Sequence, residues 1–145
     1  MVDELCPKLL EISQEIQRLK NSIHTLQIAA QKAWANKAEK IRLKSLQAEL
    51  LNCTEQADAL WQILSSKKPL ELKKILLDLE QELVQFWDEF RSKTPIPDSP
   101  QGEYNSSILP LIIADLKQMS EGQEPSHDRY WVLGIAQKLI QQQQP

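Results

Sequence analysis

Five cations crowd into residues 32–44 of this sequence: Lys32, Lys37, Lys40, Arg42 and Lys44, opposed only by Glu39. Their chemistry would be phosphate neutralisation, because each Lys or Arg set against a phosphate releases a condensed counterion. Lys37, Lys40 and Lys44 share one helix face by spacing, and Trp34 is near enough to stack on a base. The same run also reads as the solvated face of a hairpin tip. Nucleophilic chemistry would have to come from Cys6, Cys53, His24 and His127, and none of them sits in a local signature. Glu124 and His127 have the Glu-x-x-His spacing of di-iron bundles. Pro125 interrupts them, however, and no second such pair exists. No catalytic residue, metal or cofactor is therefore expected.

Arg18 and His24 stand at a spacing that resembles the Arg-x(4–6)-His of HEPN helical ribonucleases. The resemblance covers those two residues, and it would imply a small helical RNase. Four tryptophans, Trp34, Trp61, Trp87 and Trp131, fall one to a segment. An indole buries enough area to serve either a core or an interface anchor. Trp61 lies beside Leu60 and Leu64, and Trp87 beside Phe86 and Phe90.

The elements that must position these groups are helices. The chain has 145 residues, 41% of them hydrophobic and 26% charged, which suits one folded domain. Only Gly102, Gly122 and Gly134 supply glycine, too few for the frequent turns of a strand protein. The formal net charge of −3 gives no overall attraction to nucleic acid. It is unevenly spread: ten cations against eight anions up to Lys68, then seven against twelve. Two cysteines are too few for a disulfide framework. No apolar run reaches the roughly 18–20 residues of a membrane span, and the acidic start Met1-Val2-Asp3-Glu4 does not read as a signal peptide. A cytoplasmic protein without membrane contact is the expectation.

No Gly or Pro occurs from Lys8 to Lys68. Within that stretch Leu5, Leu9, Ile12, Ile16, Leu19, Ile23, Leu26, Ala30 and Ala33 step by four and three, the seam of a coiled coil. A second seam, Leu43, Leu46, Leu50, Cys53, Ala57, Leu60 and Leu64, is out of phase with the first. One continuous helix of about 60 residues would span roughly 90 Å and need a heptad discontinuity. A hairpin turning near Ala35-Asn36 needs none, and Asn36 with Glu39 has capping-box spacing. The hairpin is the preferred reading. Pro69 opens a third helix whose stripe is Leu72, Leu76, Leu79, Leu83, Phe86 and Phe90. Pro95, Pro97 and Pro100 mark a loop over residues 93–106. A short helix over 107–120, with Pro110 in its first turn, and a last helix capped by Ser126 complete the chain.

The expected fold is therefore all-α: a long antiparallel, coiled-coil-like hairpin (residues 3–66), a third long helix (69–92), and two short C-terminal helices (107–142) capping one end. The expected function is non-enzymatic protein–protein interaction or assembly, with a protein partner or a second copy bound through Leu9, Ile16, Ile23, Leu26, Trp61 and Trp87. The first four serve only if the fold does not bury them. The alternative is nucleic-acid association through Lys37, Lys40 and Lys44.

Overall fold

A computed structural model describes residues 5–30, 37–92 and 100–143. Among them are five helices: α1 (Leu5–Ala30), α2 (Lys37–Lys67), α3 (Pro69–Ser92), α4 (Pro100–Ser120) and α5 (Arg129–Gln143). α1 and α2 are antiparallel. Lys8, Glu11 and Ile12 lie beside Gln56, Leu60 and Ile63, while Ser22, Thr25 and Leu26 lie beside Glu39, Arg42 and Leu46. The hairpin reading therefore holds and the single long helix does not. The expected turn at Ala35-Asn36 lies outside the described residues.

Lys68 alone separates α2 from α3. Its N–H reaches the Leu64 carbonyl at 2.9 Å, and its carbonyl accepts from Leu72 N–H at 3.1 Å. The backbone ladder thus runs through a corner, and Pro69, which has no N–H to lose, sits at the first position of α3. α4 returns along α3, with Met119 and Ser120 beside Leu72 and Leu76. Two antiparallel hairpins are thereby joined at Lys68. α5 lies antiparallel on α1: Gln137 Nε2 donates to the Leu10 carbonyl at 2.9 Å, and Asp128 faces Lys20 at 3.5 Å.

The two C-terminal helices do not cap one end, as their sequence suggested. They run lengthwise along α3 and α1, because each presents a full apolar face. Leu109, Ile112, Leu116 and Met119 on α4 are buried, as are Val132, Leu133, Ala136 and Leu139 on α5. α4 also begins earlier than the expected Ser107. It takes Pro100 as its first residue, so Pro110 lies inside the helix rather than in its first turn. The cap of α5 is Asp128, not Ser126: Asp128 Oδ2 accepts from Trp131 N–H at 3.1 Å.

One cluster of buried side chains draws on all five helices, with Leu9, Ile16, Leu64, Leu83, Leu116 and Leu133 at its centre. Each such Leu or Ile contributes roughly 1.5–3 kcal/mol by leaving water. The cluster stops short of the hairpin tip. No described residue of α2 before Ala57 is buried, and none of α1 after Ile23. In that outer half, Leu26, Leu43, Leu46 and Leu50 are half-buried, held by the contact between the two arms.

Candidate functional site

The first seam is consumed by the fold. Leu9, Ile16 and Ile23 are buried, covered by α2 and α5, so the condition under which they would bind a partner is not met. Leu26 is half-buried near the tip. Trp61 and Trp87 are also half-buried. The Arg129 guanidinium lies 4.4 Å from the Trp61 ring centroid, a cation–π contact. Trp87 stacks on Phe90 with centroids 6.0 Å apart. Trp34 and Lys32 lie outside the described residues.

The apolar residues left outside form two other faces. On α3, Leu70, Leu77 and Val84 recur every seven residues on the side opposite the buried stripe of Leu72, Leu76, Leu79 and Leu83, and all three are exposed, Leu70 by 80%. On α2, Ile41 is 59% and Leu51 61% exposed. Helical spacing sets both on the same outward face as Lys37, Lys40 and Lys44, all three exposed. Ile28, at 51% exposure, adds an apolar position on α1 near the tip. A seven-residue apolar repeat offset from the core stripe was visible in the sequence. It could not be recognised as an outer face until the inner one had been assigned.

Charge differs between the two segments but is mixed on the faces themselves: exposed Lys73 and Lys74 stand one turn before Leu77 on α3, and exposed Glu55 stands one turn after Leu51 on α2. The tip segment from Lys37 to Lys44 holds four cations and one anion. From Ile75 to Phe90, α3 holds Asp78, Glu80, Glu82, Asp88 and Glu89 and no cation.

The residues with chemical potential are engaged in structure. Asp115 is buried. It accepts from Ser126 N–H at 3.2 Å and from His127 Nδ1 at 2.7 Å. An Asp–His pair orients an imidazole for proton transfer in hydrolytic sites. Here it ties the α4–α5 connection to α4, with the His127 ring 5.3 Å from that of Trp131. Glu124 turns instead to Arg129, at 3.0 Å, so Glu124 and His127 do not converge on one point. Arg18 is paired with Glu15 through two hydrogen bonds, and that pairing holds the Glu15 carboxyl below its ordinary range. His24 is exposed on α1. Burial pushes the half-buried Cys53 thiol up, away from the reactive thiolate.

An open cleft of about 410 Å³ lies at the corner between the hairpins. Trp61, Leu72, Leu76, Met119, Pro125 and Arg129 contribute to its walls. No described helix is long and apolar enough to cross a membrane. No protein-family model, curated protein or solved structure matches this chain.

Proposed function

We propose that this protein is a non-enzymatic interaction or assembly factor that binds protein through the outward helix faces its own core leaves apolar. The observation that carries this reading is the pair of exposed faces: Leu70, Leu77 and Val84 on α3, and Ile41 with Leu51 on α2. Scattered exposed apolar residues are ordinary on any surface. Residues repeating along one helix face are the form in which a helix meets a partner. Trp61 and Trp87 lie half-buried and would be anchors beside those faces. The thiols, Cys6 buried and Cys53 half-buried, suit a reducing compartment such as the cytoplasm.

The test is a photo-crosslinking side chain placed at Ile41, at Leu77 and, as a control, at Lys138, which is exposed on α5 away from both faces. Discrete protein adducts are expected from the first two positions in cell extract and not from the third. Equal or absent adducts at all three would overturn the reading.

A second reading rests on Lys37, Lys40 and Lys44, exposed together on the projecting tip. There the protein would bind nucleic-acid phosphates, with affinity falling steeply as salt rises. Affinity unchanged after neutralising those three lysines removes it.

A further inference from the structure

We infer that the hairpin tip docks on an anionic lipid surface, its cations against the headgroups and its exposed isoleucines in the apolar boundary beneath them. This goes beyond the interaction reading, for which the α3 face stays available.

Charge at the tip is nearly of one sign. From Asn21 to Ala30, α1 has no Lys, Arg, Asp or Glu; from Lys37 to Ala48, α2 has Lys37, Lys40, Arg42 and Lys44 against Glu39. All four cations are exposed, while Glu39 is half-buried along the groove between the arms, beside Ser22 and Thr25. Glu55 and the Leu51 it stands beside lie past that stretch and form no part of the surface. Beyond the corner at Lys68 the balance reverses, with seven cations against twelve anions from Pro69 onward. An anionic surface therefore attracts one end of the molecule and repels the other, which brings it in tip first.

The apolar residues of the tip decide which anion. Ile28 and Ile41 are exposed within the same stretch. Leu26 and Leu46 line the contact between the arms. Ile28 lies two residues from Leu26 and Ile41 five from Leu46, which at about 100° per residue turns both away from that contact. Each arm thus offers an aliphatic side chain beside the cations. A bilayer surface has a partner for both kinds of group, anionic headgroups for the cations and the acyl boundary for the isoleucines. Single-stranded nucleic acid supplies phosphates too, but its bases stack on aromatic side chains rather than aliphatic ones. The contact is peripheral, since no described helix is long and apolar enough to cross a membrane.

The experiment is flotation of the full chain with phosphatidylcholine vesicles, with and without about 30% phosphatidylserine, at about 100 mM and about 500 mM salt. Binding is expected to the phosphatidylserine vesicles alone, and to fall at the higher salt. Lys37→Gln, Lys40→Gln and Lys44→Gln together should weaken it roughly 100-fold, each cation counting for about fivefold. Ile28→Ser with Ile41→Ser should weaken it roughly tenfold, at an unchanged urea midpoint because both side chains are exposed. Lys73→Gln with Lys74→Gln, exposed on α3, should bind as the wild type does. A chain that ignores anionic vesicles overturns the inference, and so does binding that the α3 pair loses as fully as the tip lysines do. Binding untouched by the isoleucine pair overturns the lipid assignment. An oligonucleotide bound in place of vesicles, again untouched by that pair, gives the tip to the nucleic-acid reading. Adducts from a crosslinker at Leu77 without vesicle binding would leave the interaction reading standing and this inference wrong.

Discussion

A methyl group added at Gly134 would stand 2.6 Å from Gln17 Cγ and 3.1 Å from the Ser13 carbonyl oxygen. α1 and α5 approach closely here because glycine has no side chain to hold them apart. The Ser13 oxygen belongs to the α1 backbone and yields only if the helix moves, and the Gln17 stem must shift as well. Gly134→Ala gains about 1 kcal/mol of helix propensity but forces overpacking that costs roughly 1–3 kcal/mol. A net loss of about 1 kcal/mol is expected, read as a lower urea midpoint at unchanged slope. Gly122 is different. Nothing lies within 4 Å of a Cβ there, but its φ of 80° belongs to the left-handed region. It ends α4 with the Gly122 N–H on the Met119 carbonyl and the Gln123 N–H on the Gln118 carbonyl, a Schellman closure. Tyr130 carries a pH signature. Burial, reinforced by its O–H donating to Asp58, lifts the phenol above the ordinary tyrosine range. The unfolded phenol ionises near pH 10 while the folded one keeps its proton. The stability this group contributes is therefore intact below about pH 10 and is lost as pH climbs toward the raised folded value. Urea midpoints above about pH 10 should fall more steeply for the wild type than for Tyr130→Phe. Parallel profiles would mean that the phenol is not held this way.

At the scale of the helices, Pro110 tests how α4 tolerates an interior proline. It is exposed, and its ring removes one N–H from the ladder. Pro110→Ala restores that donor. The gain, about 3 kcal/mol in helix propensity, is offset by up to about 1 kcal/mol of lost chain stiffening in the unfolded state. A stabilisation of about 2 kcal/mol is expected; no change in midpoint would mean that the neighbouring turn has already adjusted. The same residue explains what the sequence concealed. Proline clusters signal loops because proline breaks helices in general, yet Pro100 stands where a helix can start and Pro110 where an exposed one can bear the loss. The long helices were legible because their four-and-three steps persist for many turns. The phase slip between Ala33 and Leu43 admitted either a heptad discontinuity in one helix or a reversal of direction, and the contact between the arms decides for the reversal. Ser126 and Asp128 are both good caps by type. The start of α5 at Arg129 decides between them, because it places Asp128 Oδ2 on the Trp131 N–H. The candidate site was less legible than the fold. The first seam reads identically whether α5 or a partner covers it, and a connection through Gly122 and Pro125 does not announce that α5 folds back onto α1.

Across the whole molecule, stability should be graded. The bundle end is held by a cluster drawn from five helices. The tip is held by one helix–helix contact with half-buried Leu26, Leu43 and Leu46 and exposed Ile28 and Ile41. Local opening costs less where fewer apolar contacts are broken. At dilution, amides from Lys40 to Leu51 should therefore exchange with solvent roughly tenfold faster or more than those of α3 around Leu79 and Leu83. Uniform protection would mean that the hairpin opens only with the rest of the chain. Concentration provides the second arm of the same measurement. A ligand that binds the folded tip protects it by mass action. If another copy docks there, exchange at Lys40 to Leu51 slows as protein concentration rises. The slowing should vanish at high salt, where charge attraction is screened. A tip whose exchange ignores concentration leaves its lysines facing solvent or a different ligand.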